Sequence, residues 1–240
     1  MPVNTNTMTE TWALIPIKRL DTAKTRLSPV LTRHQRQDLT LAMARDVLSC
    51  LVDCEQLTGI AIVSADEKVK QLCQAFEALW IEEPPGADLN VAITAAAREL
   101  MVRSVQHLIC LPVDIPLIRP HDIQTLLLHH HIAPAVTLAP ATNSSGTNAL
   151  VCSPPTVIPF CYGPDSLHQH QRNASRVGIK PQQIILPNIG LDLDTVQDIE
   201  QLLDSPSAQG THTLQALLTH HLVEPVYSKT KPKGFDNLWT

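Results

Sequence analysis

The sequence is poor in aromatic residues and in charge, and it has no long apolar run. Only 3% of its 240 residues are aromatic and 17% are charged, with a formal net charge of −5. This balance leaves no basic footprint for a nucleic-acid backbone, so we expect no nucleic-acid partner. No stretch approaches the roughly 20 apolar residues of a membrane helix, and the polar first ten residues have no signal-peptide core. We therefore expect a cytoplasmic protein without a membrane partner.

The six cysteines are scattered along the chain, and no two of them form a C-x-x-C pair. This pattern suggests neither a zinc knuckle nor a dense disulfide framework. Cys50 and Cys54 lie one helical turn apart, which is more typical of core packing than of half a metal site. Histidines cluster at 129–131, at 168 and 170, and at 220–221. Because successive residues of a helix point in different directions, three adjacent histidines cannot all ligate one ion, and we do not favour a zinc site.

The first half of the sequence alternates apolar runs with segments of helical period. The first helix follows Thr32, which is a suitable N-cap, and its apolar stripe consists of Leu39, Met43, Val47 and Leu51. Strict alternation predicts parallel strands joined by helices, so the loops after successive strands lie at one edge of the sheet. The predicted strands are "WALIPI", "GIAIVS", "LWIEE" and "HLICLP".

The second half departs from this alternation. The runs "AVTLAP" and "NALVCS" follow each other without a helix, which predicts antiparallel pairing, and "QIILP" and "LDLD" are predicted as short strands. The two halves together predict an α/β fold with a mostly parallel mixed sheet and helices on both faces. The predicted division is a flexible N-terminus at 1–10, one domain at 11–204, and a linker ("SPSAQG"), short helix and tail at 205–240.

A lone carboxylate ends the fourth predicted strand. Asp114 lies between two prolines in "ICLPVDIPLI", where a buried run stops. Open α/β sheets bind ligands in the crevice at the carboxyl ends of their strands, so Asp114 is a candidate site residue. The alternative is that Asp114 forms a turn or caps a helix, and this stretch alone favours neither interpretation.

The loop after the first strand, "KRLDTAKTRLSP", is rich in cations. Its basic residues are Lys18, Arg19, Lys24 and Arg26. Four cations in one loop at a ligand-binding edge suit a polyphosphate, and they stand out because the rest of the chain is acidic. A solvated charged face is the usual alternative for such residues, and we favour the phosphate-binding interpretation.

Two further carboxylates, Asp192 and Asp194, occur in "LDLDTVQD". Residues two apart in an extended segment project to the same face, so this pair is suited to share a divalent cation that removes their mutual repulsion. The simpler interpretation is that Asp194 only precedes a capping box formed by Thr195 and Asp198. The two interpretations are compatible, because Asp194 and Thr195 have different roles in them.

Two turns that contain glycine, "SSGTNAL" and "CYGPDSL", are candidates for anion binding. A glycine turn that opens a helix exposes backbone N–H groups to an anion, and the hydroxyl of Thr147 or Ser166 adds a donor. Ordinary turn chemistry produces the same pattern, so each turn alone is a weak signal.

Taken in chain order, five motifs resemble those of the guanylyltransferases of coenzyme F-420 biosynthesis: "IPIKRLDTAKTRL", "LPVDIPLI", "GTNAL", "YGPDSL" and "LDLDT". The acceptor in that family is 2-phospho-L-lactate, phosphoenolpyruvate or 3-phospho-D-glycerate. The resemblance covers most of 12–203, and the ordered set is far more specific than any single motif. It implies a nucleotide-diphospho-sugar-transferase-like (Rossmann-like) fold and a reaction in which GTP guanylylates a small phosphorylated acid and pyrophosphate leaves.

The resemblance also implies roles for individual residues. The acids that would hold the expected cofactor, Mg²⁺, are Asp114, Asp192 and Asp194. The nucleotide site would comprise Lys18, Lys24, Arg26 and Asn90. The acceptor phosphate would be bound by Thr147, Gly163 and Ser166. The catalytic residues would be Asp114, Lys24 and Arg26. These assignments make physical sense, because two phosphate-bearing anions meet only if cations offset their repulsion.

Two positions depart from the family pattern. Asp88 in "GADLN" stands where relatives commonly have glycine, directly before the Leu-Asn pair that contains Asn90. Cys152 in "NALVCSPP" stands where a larger aliphatic residue is usual. A smaller side chain in the wall of the site leaves room for an extra hydroxyl group in the acceptor. Cys152 is therefore predicted to line the acceptor site, and we favour 3-phospho-D-glycerate as the acceptor.

Other interpretations stay open at this point. Another nucleotidyltransferase of the same fold, acting on a sugar phosphate or a molybdopterin, would use the same edge and the same acids, but the glycine-rich nucleotide loop of those enzymes is replaced by "KRLDTAKTRL". A non-catalytic nucleotide-binding protein would have no physical reason to keep three acids and two phosphate turns. The expected partners are GTP and a small phosphorylated acid, and a homodimer is compatible with the sequence.

Overall fold

Seven strands pair into one mixed sheet in the computed structural model, which describes residues 10–142 and 145–220. The strands are β1 (Thr11–Pro16), β2 (Gly59–Ser64), β3 (Leu79–Glu82), β4 (His107–Cys110), β5 (Ala135–Pro140), β6 (Thr147–Ser153) and β7 (Gln182–Gln183). Their order across the sheet is β3-β2-β1-β4-β6-β5-β7. Every neighbouring pair is parallel except those that β6 forms with β4 and β5. The predicted mostly parallel mixed sheet, with an antiparallel β5–β6 pair, is confirmed.

Helices cover both faces of this sheet, as predicted. They are α1 (Arg33–Val52), α2 (Glu67–Ala75), α3 (Leu89–Val102), α4 (Pro120–Leu128), α5 (Ser166–Arg176), α6 (Pro187–Gly190), α7 (Val196–Leu203) and α8 (His212–Thr219). Helices α1, α2 and α4 contribute to the core on one face, and α3 and α5 contribute to the core on the other. Thr32 caps α1 as expected, because its side chain accepts a hydrogen bond from the backbone N–H of Gln35 at 3.3 Å. None of the helices in the described ranges is long and apolar enough to cross a membrane.

Strand β6 begins at the sheet edge where β4 and β5 end, because it is antiparallel to both. Thr147, the first residue of β6, therefore lies at the same edge as the segment after β4 that carries Asp114. The cation-rich loop after β1 reaches this edge as well, since β1 and β4 are parallel neighbours. The topology thus gathers the segments that were predicted to carry the site at the carboxyl edge of the sheet.

Two predicted strands are wrong. In "QIILP" only Gln183 belongs to a strand, β7, which pairs with β5, and Pro187 already begins α6. Ile184 and Leu186 of this run pack against the core although they are not paired as a strand, while Ile185 points outward and is 68% exposed. The segment "LDLD" is extended but is not part of the seven-stranded sheet of the described residues. Instead the backbone N–H of Leu193 donates to the carbonyl of Asp114 at 2.9 Å.

The chain after α7 packs against the rest of the domain. Residues 205–210, which were expected to form a linker, contain a 3₁₀ turn at Pro206–Ala208 in which Ala208 is buried. In α8, Leu217 is fully buried in a core cluster that it shares with Leu39 of α1. This apolar contact holds the segment in place. The expectations for the N-terminus at 1–9 and for the tail at 221–240 lie outside the described residues.

Histidines line the opposite edge of the sheet, away from the candidate site. The hydroxyl of Ser153, at the end of β6, is hydrogen-bonded to Nδ1 of His107 and, at 2.7 Å, to Nε2 of His130. Nδ1 of His130 lies 2.9 Å from the hydroxyl of Thr137 on β5. Burial, followed by the neighbouring His107 and His131, lowers the pKa of His130 to about 4. The structure thus accommodates His130 in its neutral form.

Acidification is expected to destabilise the protein partly through His130. The ordinary histidine pKa of 6.5 lies above the folded-state value of about 4, so between these values the unfolded chain binds a proton that the folded protein does not. The stabilisation is complete above about pH 6.5 and is lost as the pH falls toward 4. After allowance for partial exposure, the loss is roughly 2 kcal/mol.

Urea unfolding of the wild type and of His130→Gln at about pH 7.5 and about pH 4.5 measures this effect. The glutamine keeps hydrogen-bonding capacity but does not titrate. The free energy of unfolding of the wild type should fall by about 2 kcal/mol more than that of the variant. Equal losses in the two proteins would contradict the assignment to His130.

Candidate active site

The cation-rich loop after β1 is fixed by two apolar anchors. Leu20 and Leu27 are fully buried, and a short 3₁₀ turn forms around each of them. Between these turns Lys24 adopts a left-handed backbone conformation, with φ of 51°. A residue with a side chain seldom adopts this conformation unless its surroundings hold it there. The two anchors therefore fix the direction in which the Lys24 side chain leaves the loop.

The ammonium group of Lys24 lies between two carboxylates that are distant in the sequence. Its Nζ is 2.5 Å from Oδ2 of Asp114 and 2.8 Å from Oδ1 of Asp194, and the lysine side chain is only 7% exposed. Burial alone lowers the pKa of Lys24, but the two carboxylates outweigh it and raise the pKa above its ordinary value. Lys24 is therefore fully charged at neutral pH, and it offsets the repulsion between the two acids.

Arg26 adds a second cation to this group. Its Nη1 lies 3.3 Å from Oδ2 of Asp194, and its side chain is 73% exposed. Burial raises the pKa of Asp194, but Lys24 and Arg26 together lower it below the ordinary value. The other two loop cations lie further out: Lys18 is exposed, and Arg19 pairs with Asp21 at 3.4 Å. Arg26 can therefore reach an incoming anion while Lys24 stays buried among the acids.

Asp192 and Asp194 project to the same side, as their spacing predicts. The intervening Leu193 is fully buried on the opposite side of the segment. Asp192 accepts a hydrogen bond from the side-chain amide of Asn148 at 3.1 Å. Burial raises the pKa of Asp192, Asn148 opposes this, and Asp114 and Asp194 raise the pKa further. Asp192 is thus close enough to the other two acids to be affected by their charge.

The capping box at the start of α7 is also present, so both interpretations of "LDLDTVQD" hold. The hydroxyl of Thr195 accepts the backbone N–H of Asp198 at 3.3 Å, and the Asp198 carboxylate accepts the N–H of Thr195 at 2.7 Å. The same carboxylate accepts the N–H of Asp194 at 3.0 Å. The cap therefore also holds the backbone that presents Asp194.

The three acids of the predicted magnesium site meet only in part. Asp114 and Asp194 converge on one cation, but that cation is Lys24, and Asp192 is turned toward Asn148. Within 10–142 and 145–220 no three histidine, cysteine or acidic side chains form a ready-made metal cage. The donor set consists of carboxylate oxygens, which suits Mg²⁺ in chemistry, and Mg²⁺ commonly takes only one or two protein carboxylates together with substrate phosphates.

The two hydroxyl groups that were predicted to bind the phosphate of the acceptor substrate lie next to each other, but both are nearly buried. The Oγ of Ser166 donates to Oγ1 of Thr147 at 3.3 Å, and Nδ1 of His170 lies 3.0 Å from the same Thr147 oxygen. Nε2 of His170 accepts the backbone N–H of Cys161 at 2.9 Å, so the imidazole proton resides on Nδ1 and is donated to Thr147. Gly163 has φ of +132°, a conformation that favours glycine. His170 therefore connects the hydroxyl pair to the backbone at Cys161, two residues before Gly163.

Asn90 does not present its amide to an open nucleotide site. Its Nδ2 donates to the carbonyl of Tyr162 at 3.0 Å, and its Oδ1 accepts the backbone N–H of Tyr162 at 2.7 Å. Both ends of the amide are thus used to connect α3 to the turn before α5. Asp88, the departure from the family pattern, caps α3 by accepting the N–H of Val91 at 2.9 Å.

Cys152 lies in the core and does not line the candidate acceptor site. It is 1% exposed and packs in the core cluster on the α3 face of the sheet. Strand β6 runs away from the site, and at about 3.3 Å per residue Cys152 lies roughly 17 Å along the strand from Thr147. The argument for 3-phospho-D-glycerate that rested on Cys152 therefore has no structural basis.

Two adjoining cavities open at this edge of the sheet. The first, of about 370 Å³, is lined by Lys24, Asp114 and Asp194, together with Cys110 and Tyr162. The second, of about 240 Å³, lies over the ends of β1 to β3, and five residues line both cavities: Pro16, Ile17, Lys18, Thr22 and Leu89. Because they share this wall, the two cavities form one continuous crevice. It begins at Lys24 and its two carboxylate partners and extends toward β3.

Sequence reasoning missed Asn148 and His170 as supports of the site. Asn148 lies inside the quoted motif "GTNAL", directly after Thr147, and alternation along β6 would have placed its side chain on the face opposite Thr147. His170 follows Ser166 by four residues, which places both on one face of α5. The helical spacing was therefore a usable signal, whereas the contact between His170 and the Cys161 backbone was not visible in the sequence.

Comparison with known protein families gives an independent identification. Residues 11–222 match the family model described as "Guanylyl transferase CofC like". A phosphoenolpyruvate guanylyltransferase from Rubrobacter xylanophilus is 34% identical over 82% of this chain and 96% of its own length. A 3-phospho-D-glycerate guanylyltransferase from Colwellia psychrerythraea is 37% identical over 84% of this chain and 96% of its own length.

Solved structures show the same fold. A Desulfovibrio desulfuricans protein described as a nucleotide-diphospho-sugar transferase superposes with a TM-score of 0.73 at 17% identity, over 91% of this chain and 98% of that chain. A cytidylyltransferase from Leptospira borgpetersenii superposes with a TM-score of 0.58 at 11% identity, over 94% of this chain and 100% of that chain. The predicted nucleotide-diphospho-sugar-transferase-like fold is confirmed. The sequence match and the fold of this chain agree. The chain belongs to the CofC-like guanylyl transferase family of nucleotidyltransferases.

Proposed function

We propose that this chain transfers GMP from GTP to the phosphate of a small phosphorylated carboxylic acid, as a step of coenzyme F-420 biosynthesis. An oxygen of the acceptor phosphate attacks the α-phosphorus of GTP and forms a new phosphoanhydride bond. The bond between the α-phosphorus and the oxygen that bridges it to the β-phosphorus breaks, and pyrophosphate leaves with that electron pair. Membership of the family and the names of the relatives support this reaction class.

The observation that carries the proposal is the charged group in the wall of the first cavity. Lys24, held by Asp114 and Asp194, lies at the carboxyl edge of a mostly parallel sheet, where ligands of this class of fold bind. No protein nucleophile is needed for this transfer. The contribution of the protein is to position the two substrates and to stabilise the charge that moves onto pyrophosphate, as in other phosphoryl-type transfers.

Magnesium is part of the proposal. Asp114 and Asp194 are its favoured ligands, with Asp192 as a third acid nearby, and all of them offer the hard oxygen atoms that this cation prefers. When bound, the ion supplies positive charge to the phosphate oxygens. The exposed guanidinium of Arg26 and the ammonium of Lys18 are placed to contact the triphosphate.

The acceptor is proposed to bind beside the turn that precedes α5. The N–H of Ser166 donates to the carbonyl of Gly163, its hydroxyl contacts Thr147, and Tyr162 of the same turn lines the first cavity. The proposal covers phosphoenolpyruvate, 3-phospho-D-glycerate and 2-phospho-L-lactate as one chemical class. All three carry a carboxylate and a phosphate on a three-carbon skeleton, so one small site can serve each of them.

A substrate panel tests the proposal directly. The full chain is incubated with GTP, Mg²⁺ and each of the three acids in turn, and released pyrophosphate is measured together with the loss of GTP. We expect equimolar release that requires one of the acids and is much weaker with ATP. Release with a hexose 1-phosphate in place of the acids, or none with any acid, would contradict the proposal.

A further inference from the structure

The second cavity, called the slot below, has apolar walls on which a planar ring can pack. Its walls are formed mainly by apolar groups from the ends of β1 and β2 and from the start of α3: Pro16, Ile17, Val63, Ala87, Leu89 and Ala92. It adjoins the first cavity along the wall that contains Lys18, so a molecule can place its phosphates in the first cavity and a ring in the slot. A nucleoside triphosphate has this division between a charged chain and a planar base.

Two carboxylates line the slot, and their situations differ. Asp88 is occupied as the N-cap of α3, where it accepts the N–H of Val91. Glu83, directly after β3, is only partly exposed, and among the described residues its carboxylate accepts no hydrogen bond. Burial raises the pKa of Glu83, and the charge of Lys18 opposes this. Glu83 therefore offers two acceptor oxygens to a ligand in a slot whose other lining groups are apolar side chains, the cations Lys18 and Arg19, Thr22 and the capping residue Asp88.

Guanine is the purine that satisfies such an acceptor. Its N1–H and its 2-amino group are adjacent donors, which one carboxylate accepts side by side. Adenine presents a lone pair at N1, which a carboxylate repels, and hypoxanthine lacks the 2-amino donor. We infer that the Glu83 carboxylate recognises the N1–H and 2-amino edge of the guanine of GTP in the second cavity. This inference rests on the proposed function, since it places the GTP of that reaction.

The main effect of this contact would be to discriminate guanine from other purines. Once a bound base covers Glu83, a carboxylate that lacks one of its donors costs more than the mean value of the bond, because it is desolvated and unpaired. Sites built around a substrate donor therefore reject analogues that lack it. The preference for GTP over ITP should then be about 10- to 100-fold, and the preference over ATP should be larger.

The test compares Glu83→Gln with Glu82→Gln. Glu82 is the adjacent residue of β3, is exposed, and points away from the slot, so it is a matched control for charge and position. Calorimetric binding of GTP and ITP, with Mg²⁺, is measured for both variants and the wild type, followed by pyrophosphate release. We expect Glu83→Gln to weaken GTP binding by about 10- to 100-fold, to bring the GTP/ITP ratio near one, and to affect KM more than kcat. Glu82→Gln should behave as the wild type.

The possible results separate the two proposals. An unchanged GTP/ITP ratio in Glu83→Gln, an equal effect in Glu82→Gln, or a wild type without preference for GTP over ITP overturns the role of Glu83. The last of these results does not depend on whether a variant folds. A wild type that binds GTP selectively but releases no pyrophosphate with any acid overturns the proposed function and leaves the role of Glu83 standing. A wild type that binds no GTP overturns both.

Discussion

Replacing Asp114 by asparagine is expected to lower kcat by about a thousandfold or more while the fold is retained. The substitution keeps the size of the side chain but removes the charge that faces the Lys24 ammonium at 2.5 Å. The carboxylate is also a proposed ligand of the magnesium that accompanies GTP. Electrostatic groups that face the transferred phosphoryl group typically contribute factors of 10² to 10³ each, and Asp114 would contribute in both ways. The measurement is pyrophosphate release at saturating GTP and acid over a wide range of Mg²⁺ concentration.

The control for this variant is Asp21→Asn. Asp21 belongs to the same cationic loop, but it pairs with Arg19 and Arg33 outside the first cavity. It should retain nearly normal kcat, since such exposed pairs contribute little. Urea unfolding should show both variants folded under assay conditions. Activity of Asp114→Asn within a few-fold of the wild type, at any Mg²⁺ concentration, would refute the proposed role of this acid.

The fold was largely predictable because the sheet follows from local patterns. Alternating apolar runs and helical periods required parallel crossovers, and the absence of a helix between β5 and β6 indicated their antiparallel pairing. The failures lie where a local pattern depends on a distant partner. Leu191 and Leu193 have the alternation of a strand, yet they are buried in the cluster under α7 rather than in the sheet. Ladder pairing is a non-local property, and alternation alone does not reveal it.

The site was predictable at the level of segments and not of contacts. Chain topology was enough to bring Lys24 and Asp114 to one edge, because loops after parallel strands share that edge. Asp194 reaches the same place by a different route, because its segment lies outside the sheet and the N–H of Leu193 donates to the carbonyl of Asp114. Lys24 bridges the two acids because of its left-handed backbone conformation and its buried neighbours. Sequence spacing predicts neither of these features. Cys152 is the opposite case. Its distance from the edge followed from its position in β6, so the sequence contained the signal that would have excluded it.

Replacing Lys24 by methionine is expected to lower kcat by about 10²- to 10³-fold. The apolar stem is kept, so the loss reports the ammonium group, which is the cation shared by Asp114 and Asp194. Without it two carboxylates face each other with less compensation, and the protein should also be less stable at neutral pH. Lys68→Met, on the exposed surface of α2, is the matched control and should change neither quantity.

Thermal unfolding of the Lys24→Met variant with and without Mg²⁺ tests the donor set of the site. A ligand that binds only the folded state raises its stability, so a divalent cation held by Asp114 and Asp194 should raise the melting temperature of the variant. The increase should exceed that of the wild type, in which Lys24 competes for the same oxygens. Adding Asp114→Asn to the variant should remove the increase. If Mg²⁺ leaves the melting temperature of Lys24→Met unchanged, these two acids are not the magnesium ligands. A normal kcat in this variant would show that Lys24 has no role in the mechanism.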